Sequence, residues 1–149
     1  MNHTHSLNPR VSRDLVPLAV ASVGFAIMLG TAVMAVFLLL NRSLVLDLPI
    51  SPTARPDVNQ PAATLLLVGV MCTLVVPMVA AWLLLAPIDV TYRRFGFAMV
   101  SGFGALLVSV VSVPLNEWFG MSGLMGLLAL SLIGALLLGR KARRERSIL

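Results

Sequence analysis

The sequence predicts an all-α integral membrane protein, a bundle of four transmembrane helices with antiparallel neighbours, and three observations predict it. Hydrophobic residues make up 58% of the 149-residue chain and charged residues 11%, against about 45–50% and about 25% in soluble domains. Four charge-free stretches each reach roughly the 20 apolar residues that cross a hydrocarbon core of about 30 Å. Those stretches are apolar on every face, unlike the amphipathic helices of a soluble bundle. A mean hydropathy of +0.96 agrees.

The first helix is expected at 15–40. Its apolar core far exceeds the 7–15 residues of a signal-peptide core, so it reads as a retained membrane anchor. A loop at 41–61 follows, and Pro49, Pro52, Pro56 and Pro61 favour extended backbone there. It is the one connection with enough chain to meet a partner outside the bilayer. The second helix is expected at 62–86 and carries Pro77 at mid-depth. Proline removes one helical hydrogen bond and clashes with the preceding turn, so a kink is expected, beside a possible hinge or cavity at Met71, Cys72 and Thr73. The carbonyl it frees, that of Thr73, needs another partner in lipid. The Thr73 hydroxyl or a neighbouring helix is expected to supply one. Helices at 95–115 and 121–139 follow, joined by the short segments PIDVTYRR and NEWFGMSG. Short connections make neighbouring helices antiparallel. The whole chain, 1–149, reads as one transmembrane domain with tails at 1–14 and 140–149.

Lysine and arginine set the orientation of such a bundle. Arg10, Arg13, Arg93, Arg94, Arg140, Lys141, Arg143, Arg144 and Arg146 fall on one side, and Arg42 and Arg55 on the other. Both termini are therefore expected in the cytoplasm. Trp82 and Tyr92 at that face, and Trp118 with Phe119 at the opposite one, suit interface anchors. The prevalence of arginine over lysine leans toward a GC-rich coding sequence, and so toward a bacterial cytoplasmic membrane.

Small residues recur every four positions at Ser22, Ala26 and Gly30, at Ser101, Ala105 and Ser109, and at Ser131, Ala135 and Gly139. Positions four apart share a helix face, and small side chains let two backbones approach closely. These nine residues are the predicted helix contacts. Packing within the chain is the first expectation for them and oligomer contacts the second.

The apolar segments hold no charged or imidazole side chain at mid-membrane depth, where such groups mark ion pathways and proton relays. His3 and His5 lie in the N-terminal tail, where two ligands do not complete a metal site. Cys72 is the single cysteine, which excludes an intrachain disulfide. Eight methionines show no paired spacing suited to copper and read as filling of core gaps. No nucleophile elbow or phosphate loop occurs. No catalytic residue, cofactor or metal is expected, and the chain reads as not an enzyme.

One polar cluster, Asn116, Glu117 and Trp118, falls at the outer boundary. As a site it would accept a cation or a headgroup amine; as a solvated turn it needs no ligand. Asp89 and Arg93 suit an exposed pair across a turn. The basic tail GRKARRERSIL reads as a topology signal attracted to anionic headgroups, not as a nucleic-acid-binding face. The expected partners are the bilayer, its anionic headgroups on the cytoplasmic side, and a protein partner or further copies of the chain. The resulting functional expectation is a small non-catalytic accessory or assembly subunit of a membrane complex, docked through its small-residue faces. The alternative is a small transporter or channel acting as a homo-oligomer.

Overall fold

The computed structural model describes residues 9–45, 56–88 and 91–148, with side chains placed for 15–43, 61–88 and 91–148. The helices are α1 (Pro9–Leu40), α2 (Arg42–Val45), α3 (Pro56–Leu84), α4 (Thr91–Ser109), α5 (Ser112–Phe119) and α6 (Met121–Ile148). No strand occurs among the described residues. Four stretches are long and apolar enough to span a membrane: Leu15–Leu40, Pro61–Leu84, Thr91–Phe119 and Met121–Ile148. The protein is an all-α, four-span membrane bundle.

The ends of these helices differ from the sequence expectation for identifiable reasons. α1 and α3 each begin at a proline, Pro9 and Pro56, whose missing N–H is one that a first helical turn leaves unpaired in any case. Helix therefore replaces parts of the tail expected at 1–14 and of the loop expected at 41–61. Residues 1–8, with His3 and His5, and 46–55, with Pro49, Pro52 and Arg55, lie outside the described residues, as does Asp89. α3 stops at Leu84, short of the expected 86, because Pro87 has no N–H to continue the ladder. The chain tightens there, with the Ala86 amide donating to the Leu83 carbonyl at 3.4 Å and the Ile88 amide to Leu85 at 3.0 Å.

The third span is broken where a single helix was expected at 95–115. Pro114 cannot pair with the carbonyl of Val110, and its ring crowds the turn there. The ladder gives way between Ser109 and Ser112. The Val113 amide reaches Val110 instead, at 3.2 Å, and the Ser112 hydroxyl donates to the Ser109 carbonyl at 2.5 Å. After α5 the chain reverses at Gly120, with φ 58° and ψ −137°, a backbone state essentially restricted to glycine. α6 then runs to Ile148, so the basic segment expected as a tail at 140–149 forms its last turns. Lysine and arginine are good helix formers, and cations at a helix C-terminus suit its dipole.

α1 is the stem of the bundle. It packs against α3, α4 and α6, while α3 packs against α4 and α5 against α6. In the most apolar stretch of α1, 39% of residues are buried, against 17% in the spans of α3 and α6. Gly139 and Gly134 of α6 lie against Phe25 and Met28 of α1, and Gly69 of α3 lies against Phe37. Numbers on α3 and α6 thus fall as those on α1 rise. Gly104 of α4 lies against Ile27 of α1.

The tightest crossing is at Gly30. A methyl group there would lie 2.5 Å from the Cβ of Ala105, 2.8 Å from Cγ of Pro77 and 3.1 Å from the carbonyl oxygen of Thr73. On α4, a methyl at Gly102 would lie 2.9 Å from the Leu74 carbonyl oxygen. The carbonyls one turn before Pro77 therefore face glycines of two neighbouring helices. The Thr73 hydroxyl is not the partner of its own carbonyl: it donates to Gly69 at 2.8 Å, the usual back-bond of a helical threonine. Gly30 of α1 is the residue that approaches the carbonyl from a neighbouring helix.

Replacing Gly30 with alanine is expected to destabilise the protein by about 1–3 kcal/mol, because the atoms it meets are a backbone-proximal methyl and a proline ring that cannot swing aside. Gly96, with nothing within 4 Å of an added methyl, is the control. Its alanine variant should be stabilised by about 0.5–1 kcal/mol. Thermal unfolding in detergent reads both.

Candidate functional site

The nine predicted packing residues are placed on inner faces. Ser22, Ala26, Ser101, Ala105, Ser109, Ser131 and Ala135 are each at most 6% exposed, Gly30 is buried and Gly139 is half-buried. Ala26 belongs to a cluster with Ala81, Leu85 and Ala98, so the α1 stripe faces α3 and α4, whereas Gly139 lies against Phe25 on another face of the stem. Small residues thus form the contacts of the chain with itself.

Hydroxyls in the spans are largely engaged with their own helices. Thr31 donates to Ile27 at 3.0 Å, Ser101 to Phe97 at 2.8 Å, Ser109 to Ala105 at 2.6 Å and Ser131 to Leu127 at 2.7 Å. Bonds of this kind satisfy a polar group inside a low-dielectric span without opening the helix. Ser22 is the exception, fully buried with no hydrogen-bond partner for its oxygen. Met71 and Cys72 are exposed on α3 while Thr73 is buried. Met28 and Met78 fill space beside Gly134 and Gly102.

Asn116, Glu117 and Trp118 sit on α5 and not in a turn; the turn is Gly120 alone. Successive helical positions point about 100° apart. Glu117 and Trp118 are exposed and Asn116 is half-buried, its side-chain oxygen lacking a partner. The three do not converge on one ligand position. Among the described residues no group of three or more His, Cys, Asp or Glu side chains is placed to hold a metal ion.

The basic end of the bundle is more structured than a count of charges implies. Arg94, on the first turn of α4, is half-buried. Its Nε and Nη2 donate to the Trp82 carbonyl at 2.9 and 2.6 Å, and its guanidinium lies 4.4 Å from the Trp82 ring centroid. The cause is local. Ala86 donates to Leu83, which strips Trp82 of its helical donor, and an arginine fork supplies the missing hydrogen bonds while stacking on the ring above them. Arg94 therefore caps α3. The sequence reading placed Arg94 among topology charges and Trp82 among anchors but missed the pairing; the signal was their near-symmetric placement about Pro87.

Arg93 is exposed at the edge of an apolar recess of ≈ 370 Å³ formed with Leu15, Val16, Ala19, Ile88 and Phe97. Arg140, Lys141, Arg143, Arg144 and Arg146 are exposed on the last turns of α6. Arg140 and Arg143 also line a recess of ≈ 350 Å³ whose remaining wall includes Phe25, Leu29, Leu84 and Leu136. Comparison with family models, with curated proteins and with solved structures finds no match to this chain.

Charged hydrogen bonds of the Arg94 type contribute about 1.5–3 kcal/mol. Arg94→Ala is expected to lower stability by that amount in detergent unfolding, Arg94→Lys to recover part of it, and Arg93→Ala to change it by less than about 0.5 kcal/mol. Equal losses at 93 and 94 would show the cap to be unimportant.

Proposed function

We propose that this multi-pass membrane protein is a non-catalytic accessory or assembly subunit of a larger membrane complex, with both termini in the cytoplasm. The observation that carries the reading is the local engagement of the span hydroxyls, which leaves the interior a packing device and not a polar path. Broad exposed apolar faces support it as well. Leu66, Leu67, Val75 and Val79 on α3, and Leu130, Ile133 and Leu137 on α6, are all exposed, and a partner would meet these larger side chains. The distribution of arginine and lysine supports the orientation.

A homo-oligomeric transporter or channel is the second reading. The filled crossing at Gly30 favours a path between copies over one through a single bundle. Isolation in mild detergent separates the two readings: an accessory subunit recovers a different protein in fixed stoichiometry, whereas a channel recovers further copies of itself. A lone monomer that leaves its host membrane's complexes intact when deleted would overturn the first. Reporters fused to the two ends test orientation, and an extracytoplasmic signal from either contradicts it.

A further inference from the structure

We propose that the recess between α3 and α6 at the basic end is a binding site for one anionic phospholipid, its acyl chain in the groove and its phosphate at Arg140 and Arg143. Both helices pack on α1 but scarcely on each other, which leaves a lateral groove floored by Phe25 and Leu29. Leu84 of α3 and Leu132, Ala135, Leu136 and Gly139 of α6 complete its lining, and the two arginines are its only charged residues among the described residues. Its ≈ 350 Å³ falls within the range of about 300–1,000 Å³ typical of small-ligand sites.

The order of these residues along α6 determines the chemistry of the occupant. From Leu132 to Gly139 the helix rises about 10 Å, within the depth of one leaflet, about 15 Å of hydrocarbon. Arg140 follows immediately, and Arg143 lies three residues on, on the same face. An occupant must therefore be apolar over roughly that length and anionic where the hydrocarbon ends. Two guanidiniums suit a phosphate group, which accepts their forked donors, and basic pockets between spans recognise such headgroups. Glu145 lies with Arg140, Lys141, Arg144 and Ile148 on an adjoining surface of α6 and does not line the groove, whose lining among the described residues holds no carboxylate.

The site does not depend on the accessory-subunit reading, and its test uses the full chain without any partner. Native mass spectrometry with added phosphatidylglycerol or phosphatidylcholine is expected to show one phosphatidylglycerol held more tightly. Arg140→Gln with Arg143→Gln should weaken it about 10- to 30-fold. Lys141→Gln with Arg144→Gln, which removes the same charge outside the groove, should weaken it less than about threefold. Leu136→Trp, at an exposed wall position, should weaken both lipids by obstructing the groove. Equal retention of the two lipids, equal losses from the two double variants, or unchanged binding in Leu136→Trp would each overturn the proposal. So would a photo-crosslinker at position 136 that captures a polypeptide, a second copy of this chain included, in place of lipid.

Discussion

The imide nitrogen of Pro77 cannot donate a hydrogen bond, so the Thr73 carbonyl, within a span of an apolar helix, has no partner along α3. In water such a carbonyl would be hydrated. In hydrocarbon it must be covered by protein, and the way it is covered sets the geometry of the bundle. α1 brings Gly30 against it, and α4 brings Gly102 against the adjacent Leu74 carbonyl. Neither approach is possible with a side chain in the way, so the two glycines fix where α1 and α4 cross α3. Once α1 is held there, its other face is open to α6, which packs along it through Ser131, Ala135 and Gly139. The helix carrying the proline is thus covered by two neighbours on one side and bare on the other, where Met71 and Cys72 are exposed.

The parts of this arrangement visible in the sequence are those that depend on one helix at a time. Charge-free length identified all four spans, because the bilayer imposes a minimum number of apolar residues irrespective of neighbours. Four-residue spacing selected Gly30 and Ala105 as contacts, although it could not say that they meet each other. What escaped was competition between hydrogen bonds. Pro114 falls inside the helix expected at 95–115, and its effect is felt one turn earlier, where it breaks the third span at Val110. Pro87 was read as loop, yet it ends α3 early and leaves the Trp82 carbonyl for Arg94. The basic segment was read as a tail beyond the last helix, whereas lysine and arginine continue a helix at little cost.

For the candidate site the same division holds. Arg93 and Arg94 look equivalent in a count of charges, but one is exposed and the other closes a helix end. The five basic residues of α6 likewise separate once they lie on a helix, since position about the axis decides which of them border the groove. Glu117 illustrates the converse: Asn116 and Trp118 are its neighbours in sequence, and a helix sends the three in different directions. The small-residue stripes, the most regular pattern in the chain, are occupied by the chain itself.

The most direct test of this account is a double-mutant cycle between Gly30→Ala and Ala105→Gly, read as unfolding free energy in detergent. If α1 and α4 meet over the Pro77 turn, removing the Ala105 methyl should relieve part of the overlap created at position 30. The double variant should then be more stable than the sum of the single changes by about 0.5–3 kcal/mol, the range for residues in contact. Additive losses would mean that the two positions do not share a crossing, and would contradict the packing on which the rest of the bundle depends.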